Sequence, residues 1–99
     1  MRIIWSPRAI ERVSEVAGYI AEDNLAAAER WIDAIFERVK TLEKFPEIGR
    51  IVPEANRKEI RELLFKGYRI IYRYEEEQIS ILTVRHGRQL LPEDDLKKN

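Results

Sequence analysis

The chain has 99 residues, of which 44% are hydrophobic and 36% are charged, and its 18 basic side chains balance its 18 acidic ones. The composition is that of a folded globule, not of a disordered tail. A net charge of zero argues against a protein that binds nucleic acid through bulk charge alone. No apolar run approaches the roughly 20 residues that span a bilayer, and the first residues lack the pattern of a signal peptide.

These properties predict a single cytoplasmic domain over residues 1–99. The sequence holds no cysteine and only one histidine, His86. Disulfides and cysteine-ligated zinc are thereby excluded, and a metal site built from histidines is not expected. We predict that the domain uses no metal and no cofactor, and that its fold depends on its apolar core.

The first half of the chain predicts a short strand followed by two helices. Residues 2–5, RIIW, are typical of a strand. Ser6-Pro7 indicates a helix start, because serine can accept a backbone hydrogen bond at the N-cap and proline lacks the N–H that would be unpaired at N1. Apolar residues at helical spacing continue to about Ala21. After Asp23-Asn24 a second helix is predicted from about Leu25 to Glu43, and the short connection requires an antiparallel hairpin.

The second half of the chain predicts a three-stranded meander. Pro46 and Gly49 end the helical pattern, and residues 49–57 are predicted to be an irregular connection. Residues 92–99 have no periodicity, so this tail is expected to be frayed. Short turn sequences separate three strand candidates, which are therefore expected to pair antiparallel: Glu59–Phe65, Tyr68–Tyr74 and Gln78–Arg85.

The element order β-α-α-β-β-β predicts an α+β fold of two layers, in which a helical hairpin covers one face of a small, largely antiparallel sheet that the first strand joins. In Tyr68–Tyr74 the tyrosines alternate with Arg69 and Arg73. One face should therefore pack on the helices while the other presents arginines, which would attract phosphate or acidic side chains. The candidate target-binding residues of this basic surface are Arg61, Arg73, Arg85 and Arg88.

Four segments, in this order, resemble the RelE/ParE superfamily of toxins from type II toxin–antitoxin systems, which are also called plasmid-stabilisation proteins. The resemblance extends from residue 3 to about residue 91. It implies a small toxin that a cognate antitoxin neutralises within a toxin–antitoxin hetero-oligomer. The segments are IIWSPRAIERVSEVAGYIAEDN, FPEIGRIVPE, IRELLFKGYRIIYR and ILTVRHGRQLL.

Members of the superfamily differ in their cellular target. RelE-like and YoeB-like members cut messenger RNA on the ribosome without a metal, whereas ParE-like members bind DNA gyrase and trap its cleaved-DNA complex. For cleavage, the resemblance places Arg69 at a phosphate-binding position, His86 near the position of a catalytic histidine and Glu54 near that of a functional glutamate. Such chemistry requires a base, an acid and cations on the phosphate.

Several departures argue against cleavage. Where RelE-like members carry two lysines, this chain has Ile60 and Glu62. Both cleaving branches also place an aromatic residue near the C-terminus, whereas here no aromatic residue follows Tyr74. The long helical hairpin, the turn at Pro46–Arg50 and the His-x-Arg ending resemble the ParE branch. We therefore favour a ParE-like toxin that acts on gyrase. The alternatives are a ribosome-dependent mRNA endoribonuclease and a degenerate, non-toxic module that only binds its antitoxin.

Each of the three candidate catalytic residues also has an ordinary structural explanation. Arg69 can pair with Glu62 across the first hairpin, a contact of about 0.2–1 kcal/mol. His86 can be a solvated residue at a strand end, and Glu54 a surface carboxylate in a loop.

Overall fold

In the computed structural model of the chain, which describes residues 1–87 and 91–97, a helical hairpin packs on one face of a five-stranded sheet. The helices are α1 (Pro7–Asp23) and α2 (Leu25–Lys40). The predicted two-layer α+β architecture is confirmed. The strands are β1 (Arg2–Trp5), β2 (Arg50–Ile51), β3 (Ile60–Phe65), β4 (Tyr68–Tyr74) and β5 (Gln78–His86).

The sheet has the strand order β1-β5-β4-β3-β2. Strands β2 to β5 form an antiparallel meander, and β1 pairs in parallel with β5. A parallel pair requires a long crossover, which the helical hairpin supplies here. The first strand therefore joins the sheet at one edge, as predicted.

Both helix starts are capped by the residues that the sequence indicated. Ser6 accepts a hydrogen bond from the Ala9 amide at 3.0 Å, and its hydroxyl donates to the Leu82 carbonyl at 2.9 Å. Asn24 ends α1 and caps α2, accepting from the Ala27 amide at 2.9 Å. Since an N-cap contributes about 1 kcal/mol, these two side chains set where the hairpin begins and where it turns.

The main core lies between the helices and the sheet. A register shift between Ile71 and Tyr72 marks a bulge in the pairing of β4 with β5. Because of this bulge, Ile81 and Val84 both point into the main core although three positions separate them. The buried residues of this core include Val13, Ala17, Trp31, Ile35, Val39, Leu63, Ile70, Tyr72 and Ile79.

The opposite face of the sheet, here called the outer face, carries a second and smaller core, which we call the outer core. Two segments of the chain cover this core. One follows β2 and the other begins at Leu91. Burying an aliphatic side chain contributes about 1.5–3 kcal/mol, so this small core is enough to hold both segments against the sheet. Its buried members are Val52, Ile60, Ile71, Leu82 and Leu91.

Two predictions about irregular segments were wrong. The connection at 49–57 contains β2, in which Arg50 pairs with Glu62 and Ile51 with Arg61. The tail was expected to be frayed, but Glu93–Leu96 form a 3-10 turn and Asp95 is buried between two arginines. In both places the ordering contacts come from residues far away in the sequence, which local patterns do not reveal.

Helix α2 is also shorter than predicted. It ends at Lys40, and a 3-10 turn over Thr41–Glu43 continues the chain. The Thr41 hydroxyl donates to the Arg38 carbonyl at 2.7 Å, and its backbone N–H donates to the same carbonyl, so both groups help to close the last helical turn. Neither helix of the described residues has the length and hydropathy that a bilayer crossing requires.

Candidate functional site

Arg69, the candidate phosphate-binding arginine, is buried and holds two carboxylates. Its terminal nitrogens donate to both oxygens of Glu54, at 2.7 and 2.8 Å, and its Nε donates to Oε1 of Glu62 at 2.5 Å. Only 5% of Arg69 is exposed. The pairing with Glu62 that the sequence offered as an ordinary explanation is therefore present, and a two-pronged contact with Glu54 is added to it.

Glu62 connects this pair to a further arginine. Its second oxygen, Oε2, accepts from the Nε of Arg50 at 2.5 Å. The Glu62 side chain is 0% exposed, whereas that of Arg50 is 61% exposed. The four charges alternate in sign along Glu54, Arg69, Glu62 and Arg50, and we call these residues the ion network. Its formal charges sum to zero. The buried carboxylate of Glu62 has a cation on each side, which offsets the cost of burying its charge.

The strand register assembles the ion network. Side chains alternate between the two faces of a strand, so Glu62 of β3 and Arg69 of β4 both lie on the outer face. Leu64 is the direct partner of Arg69, which makes Glu62 its diagonal neighbour. Arg50 reaches Glu62 because the two residues pair in the β2–β3 ladder. The register thus places Glu62 between Arg69 and Arg50.

Glu54 reaches the outer face from the turn that follows β2. Within this turn the Asn56 amide donates to the Val52 carbonyl at 2.9 Å. Asn56 has a φ of 49°, in the left-handed region that asparagine tolerates better than most residues. Val52 is 0% exposed and anchors the turn in the outer core. The turn therefore presents the Glu54 carboxylate directly to Arg69.

The ion network perturbs the protonation of its own members. The hydrogen bonds from Arg69 lower the pKa of Glu54 from 4.5 to about 2, and the Leu91 backbone amide adds a further hydrogen bond in the same direction. Glu54, followed by Glu62, in turn raises the pKa of Arg69 above its ordinary value. Both members of the pair are therefore ionised at neutral pH.

His86, the candidate base, lies on the other side of the sheet from Arg69. It pairs with Tyr68 across β4 and β5, and the two rings meet edge to face with their centroids 5.7 Å apart. Arg69 pairs with Arg85 at the next position, on the outer face. Arg69 and His86 both border a cleft of about 700 Å³ around the β3–β4 turn, but they do so from opposite faces.

This geometry bears on the chemistry that the site can perform. Cleavage of RNA places one phosphate between cations and a base. Here Arg69 already donates to two carboxylates, and His86 lies on the opposite face. Separating one member of a buried ion pair from its partner costs about 3–5 kcal/mol. The arrangement is that of a structural ion network, not of an open phosphate site.

The candidate target-binding arginines do not form one surface. Arg61 points toward the helix side and donates to the carbonyls of Gly49, at 3.0 Å, and Lys58, at 3.1 Å. Arg73 lies on the outer face, 3.5 Å from a carboxylate oxygen of Glu75. Strand alternation therefore separates Arg61 from Arg73, contrary to the predicted basic surface.

Of the other two candidate arginines, the structure describes Arg85, which lies near the end of β5. Arg85 contacts Asp95, with an N–O distance of 3.2 Å. Arg88 lies outside the described residues. Among the residues that the structure does describe, no group of three or more histidine, cysteine, aspartate or glutamate side chains is placed to hold a metal ion.

The sequence did not indicate the ion pairs that Arg50 and Asp95 form. Arg50 follows a glycine in a segment without periodicity, so its register with Glu62 was not visible. Asp95 belongs to an acidic run that is typical of a solvated tail. The one available signal was the presence of Leu91 and Leu96 on either side of that run, since aliphatic residues near an acidic cluster favour burial of the segment.

The helical hairpin, the mixed sheet and the order of the elements are those expected from the resemblance, and comparison with known proteins places the chain in the RelE/ParE superfamily of toxins. Within that superfamily, the chain belongs to the ParE toxin family. The family described as "ParE toxin of type II toxin-antitoxin system, parDE" matches residues 3–91.

Two individual proteins illustrate the similarity. The chain is 36% identical over 94 residues to the Sinorhizobium fredii protein named "Putative toxin Y4kP", with coverage of 93% of this chain and 94% of that protein. It also matches a solved structure titled "Chromosomal ParDE TA system from P. aeruginosa", with a TM-score of 0.72 and 20% identity over 87% of this chain and 95% of that one. The second match concerns the fold.

Proposed function

We propose that this ParE-family toxin stops growth by binding DNA gyrase and trapping the complex of gyrase with cleaved DNA. The observation that carries the proposal is the neutralisation of Arg69 by Glu54 and Glu62 on the outer face. Trapping a large protein requires a complementary surface, whereas cutting RNA requires a cation that is open to phosphate. Membership of the ParE family supports the same target.

The position of His86 supports this proposal further. A catalytic base has to lie within hydrogen-bond reach of the proton that it removes while cations hold the adjacent phosphate. His86 instead packs its ring against Tyr68 on the face opposite Arg69. Gyrase inhibition needs no such pair, so it is compatible with the separation of these two residues.

A ribosome-dependent endoribonuclease is the second candidate, and one observation favours it. Arg69 and His86 border the same cleft of about 700 Å³, together with Arg50 and Lys66. For cleavage, Arg69 would have to exchange its carboxylates for phosphate on the ribosome. Such an exchange would leave the fully buried Glu62 without its contact to Arg69, which makes this the less favoured function.

We also propose that a cognate antitoxin neutralises this toxin in a hetero-oligomer. The solved P. aeruginosa structure is titled as a ParDE toxin–antitoxin system, and its fold is shared. This chain exposes several large apolar side chains, which would suit a segment that wraps the toxin. The most exposed of them are Tyr19, Leu25, Phe45, Ile48 and Leu64.

The target is tested by inducing the toxin in cells that lack the antitoxin. Incorporation of labelled thymidine and labelled amino acids would be followed over the first minutes after induction. Gyrase inhibition predicts that DNA synthesis stops first and that DNA damage follows. If protein synthesis stopped first, the ribosome would be the target and the proposed function would be wrong.

A further inference from the structure

Residues 91–97, which we call the strap, cross the outer face without joining the sheet. Leu91 and Leu96 pack against the outer core. Between these leucines the chain makes one 3-10 turn, Glu93–Leu96. The strap is therefore attached by side chains at both ends, with no strand pairing among its residues.

Asp95 of the strap occupies a site formed by two arginines. Its Oδ1 lies 3.6 Å from Arg8 Nε and its Oδ2 lies 3.2 Å from Arg85 NH1. Arg8 also donates to the backbone carbonyl of Asp94. The Asp95 side chain is only 6% exposed, whereas those of Arg8 and Arg85 remain 28% and 18% exposed. A nearly buried carboxylate thus lies between two cations that still reach solvent.

The two arginines come from separate elements. Arg8 lies in the first turn of α1 and Arg85 near the end of β5, and each is held by its own element. The arrangement therefore does not depend on the strap for its backbone support. Two guanidinium groups that converge on one point attract a carboxylate, because each brings a full positive charge within about 4 Å of it.

The strap is not packed closely against the turn that follows β2. A cleft of about 640 Å³ lies between the strap and the turn that follows β2, bordered by Ala55, Arg57 and Arg73 on one side and by Leu91 and Leu96 on the other. Segments held by few buried contacts open at a lower free energy than the strands beneath them. Opening would uncover the two arginines and the apolar residues of the outer core.

We propose that Arg8 and Arg85 form a docking socket for an acidic segment of a protein partner, and that the strap fills this socket from within the chain. The strap itself shows the chemistry of the ligand. It has a carboxylate at Asp95, an aliphatic residue directly after it at Leu96, and a second aliphatic residue four positions before Asp95, at Leu91. Nucleic acid supplies anions but no aliphatic side chains for the outer core, so the socket favours a peptide.

This inference does not depend on gyrase as the target. A partner segment competes with the strap, so its apparent affinity is reduced by the fraction of molecules in which the socket is closed. Loosening the strap should therefore increase the affinity of an external segment. The probe is a fluorescent peptide with the sequence of residues 91–97, LPEDDLK, titrated against the full chain by fluorescence anisotropy.

The decisive comparison is Asp95→Asn against Asp94→Asn. Both changes remove one negative charge, but the Asp94 side chain is 78% exposed and lies outside the socket. We expect Asp95→Asn to bind the peptide at least about ten-fold more tightly than the wild type or Asp94→Asn does. In the Asp95→Asn chain, Arg8→Gln should abolish binding, whereas Arg30→Gln, at an exposed position of α2, should not.

Further controls address folding and ligand class. If Asp95→Asn does not give a cooperative thermal transition, Leu96→Ala loosens the strap while retaining the carboxylate, and the same increase in affinity is expected. A peptide with asparagine in place of the aspartate that corresponds to Asp95 should not bind. Equal affinity of all variants for the peptide, including no binding at millimolar concentration, would overturn the proposal. Tighter binding of Asp95→Asn to single-stranded DNA of equal charge would do the same.

Discussion

Glu54 and Arg69 are 15 residues apart in the chain, yet they form a two-pronged ion pair with N–O distances of 2.7 and 2.8 Å. The pair joins the turn after β2 to the middle of the sheet. With Glu62 on its other side, Arg69 lies between two carboxylates and is 5% exposed. This relationship gives Arg69 a structural role and underlies the choice of gyrase over messenger RNA as the proposed target.

Arg69→Ala should destabilise the fold. The substitution leaves the fully buried Glu62 with Arg50 as its cation in the ion network and removes the two-pronged contact that Arg69 makes with Glu54. We expect a loss of about 3–5 kcal/mol in the free energy of unfolding, measured by urea denaturation. Arg73→Ala, on the same strand and face, is the control and should cost less than about 1 kcal/mol. Full stability together with lost toxicity would instead point to a direct role in chemistry.

The free energy of unfolding should fall at acidic pH through Glu54. Its pKa is lowered from 4.5 to about 2 in the folded chain by Arg69, so below pH 4.5 the unfolded chain binds a proton that the folded chain does not. Stability therefore rises with pH in this range. The contribution is fully present above about pH 4.5 and is lost as the pH falls toward 2. The melting temperature should change less steeply with pH over this window for Glu54→Gln than for the wild type. An equally steep dependence in the variant would contradict the pairing of Glu54 with Arg69.

His86→Gln should leave toxicity nearly unchanged. His86 packs against Tyr68 at the end of the sheet and faces away from Arg69, so gyrase inhibition does not require it as a base. Growth after induction should match the wild type to within about threefold in viable counts. A catalytic base, by contrast, contributes about 10² or more to the rate of cleavage. A loss of that size in an mRNA cleavage assay would establish the endoribonuclease alternative.

Gly49→Ala should be strongly destabilising, whereas Gly18→Ala should not. A Cβ at position 49 would lie 2.6 Å from the Glu62 carbonyl oxygen and 2.6 Å from the Tyr72 hydroxyl, which accepts from the Gly49 amide. A Cβ at position 18 would meet nothing within 4 Å. Because alanine favours a helix interior, Gly18→Ala should stabilise α1 by about 0.5–1 kcal/mol. The two changes in melting temperature should therefore have opposite signs.

The local patterns in the sequence predicted most of the fold. Ser6-Pro7 and Asn24 carry their capping chemistry in the side chain itself, so the helix starts follow from single residues. The alternation in Tyr68–Tyr74 likewise predicted β4 to the residue. These elements depend on interactions within a few positions along the chain, which a sequence displays directly.

The candidate site was less predictable because it depends on register. Simple alternation along β5 from Ile79 and Ile81 would place His86 on the outer face, beside Arg69. The bulge opposite Ile71 and Tyr72 shifts the alternation by one residue and moves His86 to the helix side. Nothing local in the sequence signals this bulge. The burial of Asp95 was hard to predict for a similar reason. Its partners Arg8 and Arg85 both lie more than nine residues away in the chain, so no local pattern shows the contact.

The most direct test of the proposed function uses purified gyrase, supercoiled plasmid and ATP, with and without this toxin. After denaturation of the protein, trapped complexes appear as linear plasmid on a gel. We predict that linear DNA accumulates with toxin concentration and that His86→Gln behaves like the wild type. Undamaged plasmid at every toxin concentration, together with cut messenger RNA on programmed ribosomes, would contradict gyrase as the target.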